Sequence, residues 1–342
     1  MSESGEKIGM CVVGLGRAGM IHARNLAGRV PNASLAAVSD PVEEARVAAG
    51  MALGVSKVFS DYRQALDDAS VDAVVIATPT DIHKEIVVEA AARGKHILCE
   101  KPMAMNVAEC QEMIGAVDRG GVKLQIGFMR RYDRSFVAAK EAVDRGDIGQ
   151  VVCVKSVTHG PSIPKPWQYD IAKSNGPLAE VNSHDIDTLR WFTGSEFEEV
   201  YCIAGNYRCP EARDQFPDFY DNLLLTARFR NGMQGLIDGA AAVRYGYDAR
   251  VEVLGTRGIV FIGELHGNSM AVCSDTGRMT HQIVSSWRNL FAEAYLAEDV
   301  SFVKCILNDE VPRATGLDGM RAVEVVNAGN RSIREKQPVR LG

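Results

Sequence analysis

The chain has 342 residues, of which 46% are hydrophobic and 24% charged, and this length usually needs more than one core, so two domains are expected. The formal net charge is −6 and the basic residues are scattered, which argues against a nucleic-acid partner. No apolar run approaches the roughly 20 residues of a membrane helix, and Met1–Lys7 is too short and polar for a signal peptide, so we expect a cytoplasmic protein without a membrane partner.

The first third of the chain alternates short apolar runs with amphipathic stretches, which is typical of a parallel sheet with crossover helices. The predicted strands are Ile8–Val13, Leu35–Ser39, Ala73–Ala77, His96–Cys99 and Leu124–Gly127. The predicted helices are Ala18–Arg29, Val42–Leu53, Ile82–Arg93 and Val107–Arg119, with Asp81 and Asn106 at the N-cap positions of the last two. Five strands with helical crossovers form a doubly wound α/β domain.

After about Tyr132 the apolar runs become longer, β-branched and often alternating, which indicates a mostly antiparallel sheet with an open face. The predicted strands are Val151–Thr158, Val200–Tyr207, Asn222–Phe229, Met233–Val243, Val251–Leu254 and Ile259–Ile262. Asn231-Gly232 is a hairpin signal between two of them. Two predicted helices, Phe291–Leu307 and Leu317–Arg334, close this α+β half of the chain.

A glycine motif lies between the first predicted strand and the first predicted helix. Gly14, Gly16 and Gly19 fit the pattern G-x-G-x-x-G, in which the glycines permit a tight turn, close approach of a pyrophosphate and close helix packing. Asp40 lies 21 residues after the last glycine, at the end of the second predicted strand, where an acid binds the adenosine ribose. Its charge would repel a 2′-phosphate, so NAD is favoured over NADP. The alternative is that Asp40 only caps the next helix.

Polar residues follow the next two predicted strands. Thr78-Pro79-Thr80 lies at the edge where open α/β sheets bind ligands, although a plain helix-entry turn explains it equally well. Glu100-Lys101-Pro102 ends the following strand, where the lysine cation would favour an alkoxide at a reacting group. Pro102 constrains Lys101 and allows a cis bond. The alternative for this string is a polar loop.

A second candidate site is the string from Glu180 to Asp187. Glu180 and His184 are four residues apart, so on one helical turn they would share a face, and histidine suits proton transfer near neutral pH. Alternatives are a surface capping cluster or metal ligation by Glu180, His184 and Asp187, but hydride transfer from an alcohol requires no metal. The eight cysteines are far apart without a Cys-x-x-Cys pair, so we expect buried thiols and no metal.

Three signals in this order resemble the glucose–fructose oxidoreductase/inositol dehydrogenase/rhizopine-catabolism (Gfo/Idh/MocA) family over nearly the whole chain. They are Gly14-x-Gly16-x-x-Gly19, Glu100-Lys101-Pro102 and Glu180-x-x-x-His184. The strings Gly127–Asp133 and Tyr245–Asp248 resemble the inositol dehydrogenases of that family and are more specific. The resemblance implies a Rossmann NAD-binding domain at 1–124. It also implies a substrate-binding and self-associating domain at 125–342, like the C-terminal domain of glucose–fructose oxidoreductase.

The resemblance also implies roles for individual residues. Lys101 would stabilise the reacting oxygen and His184 would be the general base. Glu180, the acidic residue of the family's catalytic set, would hold the hydroxyl together with Lys101 and tune the base. The implied cofactor-binding residues are Gly14, Gly16, Arg17, Ala18, Gly19, Asp40, Thr78, Pro79, His83, Glu100 and Lys101. The implied substrate-binding residues are Lys101, Arg131, His159, Glu180, His184, Tyr247 and Tyr295. The alternatives are a surface ion pair for Arg131, a strand-end position for His159, and core packing with a solvated hydroxyl for the two tyrosines.

The predicted activity is NAD-dependent oxidation of a secondary hydroxyl on a cyclic polyol or sugar. The family usually has aspartate where this chain has Glu180, and Ser174-Asn175-Gly176-Pro177 and Gly160–Trp167 also depart from the inositol enzymes, so a non-inositol sugar or anhydrosugar is the alternative substrate. Tight retention of NAD through a longer redox cycle and a non-catalytic NAD-dependent regulator are further alternatives. The open sheet predicts self-association, by analogy a homodimer or homotetramer.

Overall fold

The computed structural model describes residues 7–342, apart from the side chain of Ser269. Residues 1–6, which hold most of the segment considered as a signal peptide, lie outside the described residues. The chain divides into two compact units, one reaching to Tyr132 and including Glu293–Arg321, the other comprising Asp133–Ala292 and Ala322–Gly342. This partition by contacts differs from the predicted functional division at 1–124 and 125–342, which stays a prediction. None of the helices between residues 7 and 342 is long and apolar enough to cross a membrane.

The first unit is built on a parallel sheet with helical crossovers. Its strands are β1 (Ile8–Val13), β2 (Ala33–Ser39), β3 (Val58–Phe59), β4 (Ala73–Ile76), β5 (His96–Cys99) and β6 (Leu124–Ile126). The crossover helices are α1 (Gly19–Leu26), α2 (Glu43–Leu53), α3 (Tyr62–Leu66), α4 (His83–Ala92) and α5 (Val107–Gly120). Within the described residues the strand order is β3-β2-β1-β4-β5-β6, so the winding reverses between β1 and β4, where such sheets bind ligands.

The apolar runs form strands because helices cover both faces of this sheet. All residues of β4 are buried, and β1 is buried from its second residue onward. The predicted five strands become six in the described chain, because Val58–Phe59 is too short to give a periodic signal. Asn106 caps α5 as predicted, through a bond from the Glu109 N–H. The predicted Asp81 cap is wrong, because a 3-10 turn over Thr80–Ile82 precedes α4 and Asp81 lies inside it.

The second unit contains the long sheet and most of the short helices. Its elements up to residue 290 are α6 (Arg134–Asp144), β7 (Val151–His159), α7 (Pro166–Tyr169), α8 (Ile171–Ser174), α9 (Gly176–Glu180), α10 (Ser183–Thr193), β8 (Phe197–Gly205), β9 (Asn222–Phe229), β10 (Gln234–Ala240), β11 (Asp248–Gly255), β12 (Ile259–Ile262), β13 (His266–Cys273), β14 (Met279–Ile283) and α11 (Trp287–Leu290). The last elements of the chain are α12 (Ala292–Leu307), α13 (Gly316–Glu335) and β15 (Val339–Arg340).

The sheet of the second unit is mixed and mostly antiparallel. Its order in the described chain is β12-β11-β7-β10-β9-β8-β15, and β7 and β10 form the parallel pair. Asn231-Gly232 joins β9 to β10 as predicted, with Gly232 at a φ of 85°. The sequence interpretation missed β15 and the ribbon β13–β14, and the ribbon carries Cys273, which is exposed rather than buried as expected.

Nearly all of α12 and the start of α13 pack with the first unit although they come late in the chain. Phe302 and Val303 of α12 join Met10, Val12 and Leu98 in one buried apolar cluster. Because α12 packs here, the polar residues around position 299 lie in the interior of the first unit.

Asp221 is a buried carboxylate in the second unit whose loss should destabilise the fold. It is fully buried, and it accepts bonds from the backbone N–H groups of Tyr207, Arg208 and Cys209. Asp221→Ala would leave these donors unpaired in the interior, so we expect a loss of about 3–5 kcal/mol in the free energy of unfolding. Urea denaturation measures this loss. The matched control is Asp218→Ala in the same loop, where the side chain is exposed, and an equal effect of both variants would contradict the prediction.

Candidate active site

The glycine loop between β1 and α1 has the shape that a dinucleotide phosphate needs. Gly14 has a φ of 90°, and a Cβ there would lie 2.7 Å from the Ala77 carbonyl oxygen. A Cβ on Gly19 would lie 1.9 Å from the Gly14 carbonyl oxygen, whereas one on Gly16 would meet nothing within 4 Å. Gly16 and Arg17 are therefore exposed at the tip of the loop, and α1 begins after Ala18 without a side-chain cap. The open backbone and uncapped helix N-terminus fit a pyrophosphate.

The Asp40 carboxylate ties the end of β2 to this loop. One carboxylate oxygen accepts a bond from the Leu15 N–H at 2.8 Å, and the other accepts from the Val42 N–H at 2.9 Å. The second contact closes the turn before α2, whose N-cap is Val42 without a side-chain cap, so Asp40 does not cap this helix as the alternative held. The first contact brings the carboxylate to the glycine loop. Each oxygen retains a further lone pair, so the group can still accept a ribose hydroxyl.

The segment after β4 lies against the glycine loop. A Cβ on Gly14 would come within 2.9 Å of the Thr78 nitrogen, and the Thr78 hydroxyl is buried without a hydrogen-bond partner in the described part of the chain. Pro79 then begins the 3-10 turn that leads into α4. An unpaired buried hydroxyl beside the phosphate loop fits a bound group that the chain itself does not supply.

His83, at the start of α4, joins the segments after β4 and β5. Its ring is buried, with Nδ1 at 2.9 Å from the Pro102 carbonyl oxygen and Nε2 at 2.9 Å from the Thr78 carbonyl oxygen. Both nitrogens are used on backbone groups of the chain. His83, which was predicted to bind cofactor, therefore links the segment after β4 to the segment that carries Lys101.

Glu100 and Lys101 follow β5, and the Lys101–Pro102 peptide bond is cis. The Glu100 carboxylate is buried. One of its oxygens lies 3.2 Å from Nε2 of His22, and the other accepts a bond from the Lys101 N–H at 3.1 Å. Glu100 is therefore turned toward the interior of the unit, whereas Lys101 is half-buried. In the predicted string, Glu100 therefore has a structural role, whereas Lys101 remains partly accessible.

Arg131 and Tyr295, predicted to bind substrate, both lie in the first unit and are buried. The Arg131 guanidinium contacts Asp318 at 3.0 Å and donates to the Arg313 carbonyl at 2.7 Å, so an ion pair is present, but it is buried rather than on the surface as the alternative held. The Tyr295 ring stands edge-on to His22, with ring centroids 5.3 Å apart. Their roles toward a substrate stay predictions.

In the second unit, Glu180 and His184 do not share one continuous helix. Glu180 ends α9, and His184 lies in the first turn of α10 after a two-residue break at Val181-Asn182, so the expectation of a single helical turn is wrong. The Glu180 carboxylate accepts a bond from the Gln168 side-chain amide at 3.0 Å. The longer acid is thus held by a residue of α7 that directly follows Gly160–Trp167, one of the stretches that depart from the family pattern.

Asp185 fixes the start of α10 on the sheet. Its buried carboxylate accepts bonds from Ser156 and Thr158 of β7 and from the Asn182 side-chain amide. His184 is itself largely buried, at 6% exposed. Three hydrogen bonds to Asp185, the residue next to His184, therefore fix the position of the His184 backbone.

His159 belongs to a separate polar cluster on the sheet. Ser156 and Thr158 point toward α10, so strand alternation directs His159 to the opposite face. There its Nε2 lies 3.0 Å from Asp238 and its Nδ1 contacts the Tyr245 hydroxyl. Tyr247, the other predicted substrate residue of this unit, is buried edge-on to Phe291.

Sequence reasoning missed the residues that hold the candidate groups. These are His22 and Asp299 behind Glu100, Gln168 beside Glu180, and Asp238 and Tyr245 around His159. His22 lies three residues after the last motif glycine, and Tyr245 lies within a string already noted, so both carried a local signal. In the described chain, no three histidine, cysteine or acidic side chains are grouped to hold a metal ion.

The fold and the glycine site define a dinucleotide-binding protein of the Rossmann class. Residues 8–128 match the family model described as an oxidoreductase family with an NAD-binding Rossmann fold, and residues 136–261 match the GFO/IDH/MocA C-terminal domain. The chain belongs to the Gfo/Idh/MocA family and is an NAD-dependent oxidoreductase, as the resemblance predicted.

Similar proteins in this family are inositol dehydrogenases. The chain is 34% identical to a myo-inositol 2-dehydrogenase of Thermotoga maritima, covering 96% of this chain and 97% of that one. It is also 34% identical to a scyllo-inositol 2-dehydrogenase (NAD(+)) of Bacillus subtilis, covering 96% and 95% of the two chains. The structure of scyllo-inositol dehydrogenase from Lactobacillus casei with bound NAD(H) and scyllo-inositol matches with a TM-score of 0.89 and 28% identity, covering 98% and 99%.

Proposed function

We propose that this protein oxidises a secondary hydroxyl of a cyclic polyol, of the inositol type, to the ketone. The observation that carries the proposal is the hydrogen-bonded assembly of the glycine loop, Asp40, Thr78 and the Glu100-Lys101-Pro102 segment at one end of the parallel sheet. The inositol substrates of the relatives support the choice of a cyclic polyol. When bound, NAD supplies the acceptor for the hydride that leaves the carbinol carbon.

In this proposal Lys101, His184 and Glu180 act on the substrate hydroxyl. His184 takes the hydroxyl proton as general base, and the Lys101 ammonium stabilises the negative charge that develops on the same oxygen. Glu180 accepts hydrogen bonds from the polyol and is kept in place by Gln168. Arg131, His159, Tyr247 and Tyr295 are proposed to shape the substrate site.

A substrate panel tests the proposed function. Purified protein with NAD should form NADH with at least one of myo-inositol, scyllo-inositol and chiro-inositol, and more slowly with aldoses. Turnover of an aldose or anhydrosugar in place of every inositol would establish the alternative substrate class. Tight NAD binding with no turnover of any of these compounds would contradict the dehydrogenase proposal.

The charge of Asp40 should set the preference for NAD over NADP. Asp40→Asn keeps an oxygen acceptor for the Leu15 N–H but removes the charge that repels a 2′-phosphate. We expect the ratio of kcat/KM for NAD to that for NADP to fall by about tenfold, equivalent to roughly 1.4 kcal/mol. Steady-state kinetics with both cofactors measures it. Glu44→Ala, an exposed acid of α2, is the control, and an unchanged ratio in Asp40→Asn would contradict the assignment.

We also propose that the chain works in the cytoplasm as a homodimer or homotetramer that associates through the sheet of the second unit. Support comes from apolar side chains exposed on its strands. They include Ile203, Leu224, Leu254 and Phe261. Light scattering of the purified protein measures the oligomeric state, and a monomer at micromolar concentration would contradict this proposal.

A further inference from the structure

A buried cluster of one imidazole and three carboxyl groups lies behind Lys101, inside the first unit. His22 comes from α1, Glu100 follows β5, and Glu298 and Asp299 come from α12. His22 and Glu298 are 0% exposed, Asp299 is 1% exposed and Glu100 is 5% exposed. The proposed chemistry gives His22, Glu298 and Asp299 no role, yet burying this many ionisable groups costs free energy unless they are paired.

His22 is held between two carboxylates. Its Nδ1 lies 2.6 Å from Asp299 Oδ1, and its Nε2 lies 3.2 Å from Glu100 Oε1. The second Asp299 oxygen accepts a bond from the Asn25 side-chain amide at 2.9 Å. Both ring nitrogens face carboxylate oxygens, and only a doubly protonated ring can donate to both, so this geometry favours the imidazolium form of His22.

The carboxylate that His22 holds is the one that contacts the Lys101 backbone. Glu100 Oε2 accepts the Lys101 N–H at 3.1 Å, and a Cβ on Gly127 would come within 3.0 Å of the same oxygen. The absence of a side chain at Gly127 thus leaves room for the Glu100 carboxylate in the position where it contacts the Lys101 N–H. A continuous chain of contacts runs from Asp299 through His22 and Glu100 to the Lys101 N–H.

We propose that His22 is a positioning residue, whose imidazolium fixes the Glu100 carboxylate and thereby orients the backbone segment that carries Lys101. This inference rests on the proposed function for the part played by Lys101 in turnover. A neutral residue in place of His22 would leave Glu100 close to Asp299 and Glu298 without a compensating cation. One more carboxyl would then take up a proton, and a protonated Glu100 would hold the Lys101 amide less firmly.

The electrostatics of the cluster agree with this geometry. Burial lowers the pKa of His22, but the charges of Asp299 and Glu100 and their hydrogen bonds outweigh burial and raise this pKa well above its ordinary value. Burial, together with the charge of Glu100, raises the pKa of Glu298 well above its ordinary value, which favours the neutral form of this carboxyl group. The titratable groups that face the cluster are Asp299, Glu298 and Tyr295 of α12, Glu100 and Cys99 at the end of β5, His83 of α4, and Tyr132.

The first test is hydrogen exchange of the Lys101 amide, which does not depend on turnover. In full-length His22→Gln we expect this amide to exchange about tenfold faster than in the wild type, because its acceptor is no longer fixed. His96→Gln, at the opposite end of β5, is the matched control and should leave the Lys101 amide unchanged. Unchanged exchange in folded His22→Gln would overturn the proposal.

Kinetics provide the second test. A misplacement of about 1 Å can cost roughly 100-fold, so we expect kcat for the polyol to fall by about that factor in His22→Gln, with a smaller change in NAD affinity. Replacing Glu100 by Gln as well removes the uncompensated carboxylate, and the double variant should be more active than His22→Gln alone. Additive losses would overturn the proposal. If the wild type oxidises no polyol, the proposed function fails, while the exchange test still stands.

Asp299→Asn gives an independent variant if His22→Gln does not fold. It keeps the shape of the side chain and removes a charge that raises the His22 pKa. His22 should then lose its proton as pH rises, so activity and Lys101 amide protection should fall together on the alkaline side, where the wild type retains both. A loss that is equal at every pH would indicate a merely structural role and overturn the proposal.

Discussion

Replacing Lys101 with methionine is expected to lower kcat for polyol oxidation by about 10²–10³-fold, with NAD still bound. Methionine keeps most of the side-chain length and loses the ammonium that we propose to stabilise the developing alkoxide. Because the glycine loop and Asp40 are the predicted phosphate and ribose contacts, the cofactor affinity should change little. Steady-state NADH formation and a direct NAD titration measure the two quantities.

A second lysine of the same unit provides the control for this experiment. Lys84 lies on α4 and pairs on the surface with Glu112 at 3.3 Å, and Lys84→Met should leave kcat unchanged. Equal turnover of Lys101→Met and wild type would remove Lys101 from the chemistry. Loss of NAD binding in Lys101→Met would instead assign the residue to the cofactor.

Much of the fold could be predicted because its signals are local. Continuous apolar runs identified β1 and β5 to the residue, and Asn231-Gly232 identified the hairpin between β9 and β10. Short elements such as β3 gave no periodicity to detect. The parallel pairing of β7 with β10 joins strands that are far apart in the chain, and nothing in either strand's own sequence specifies it.

In the candidate site, too, residues with a local sequence signal could be predicted and residues without one could not. Gly14 and Asp40 could be predicted as cofactor contacts because phosphate and ribose binding require particular residue types at a fixed spacing. The contact of His22 with Asp299 spans 277 residues, so no local pattern could reveal it. The break between Glu180 and His184 also escaped prediction, because a four-residue spacing is equally compatible with one helix and with two.

That break changes how Glu180 and His184 can cooperate. Gln168 holds Glu180 at the end of α9, whereas the bonds of Asp185 to β7 set the first turn of α10. The two groups are therefore positioned by separate anchors rather than by a common helix. A substitution at His184 should leave the Glu180 anchor intact, and its effect can be interpreted as the loss of one group.

The largest loss is expected for His184→Asn, which removes the proposed general base. General-base catalysis contributes about 10²–10⁴-fold, so kcat should fall by that range. The acidic limb of the pH–rate profile should disappear with it, because no group is left whose protonation stops proton removal. The Asp185 anchor of α10 should keep the variant folded, as thermal unfolding would show. His266→Gln, on the half-exposed histidine of β13, is the matched control and should keep the wild-type rate and profile. A His184→Asn enzyme that retained the acidic limb would assign proton transfer to another residue.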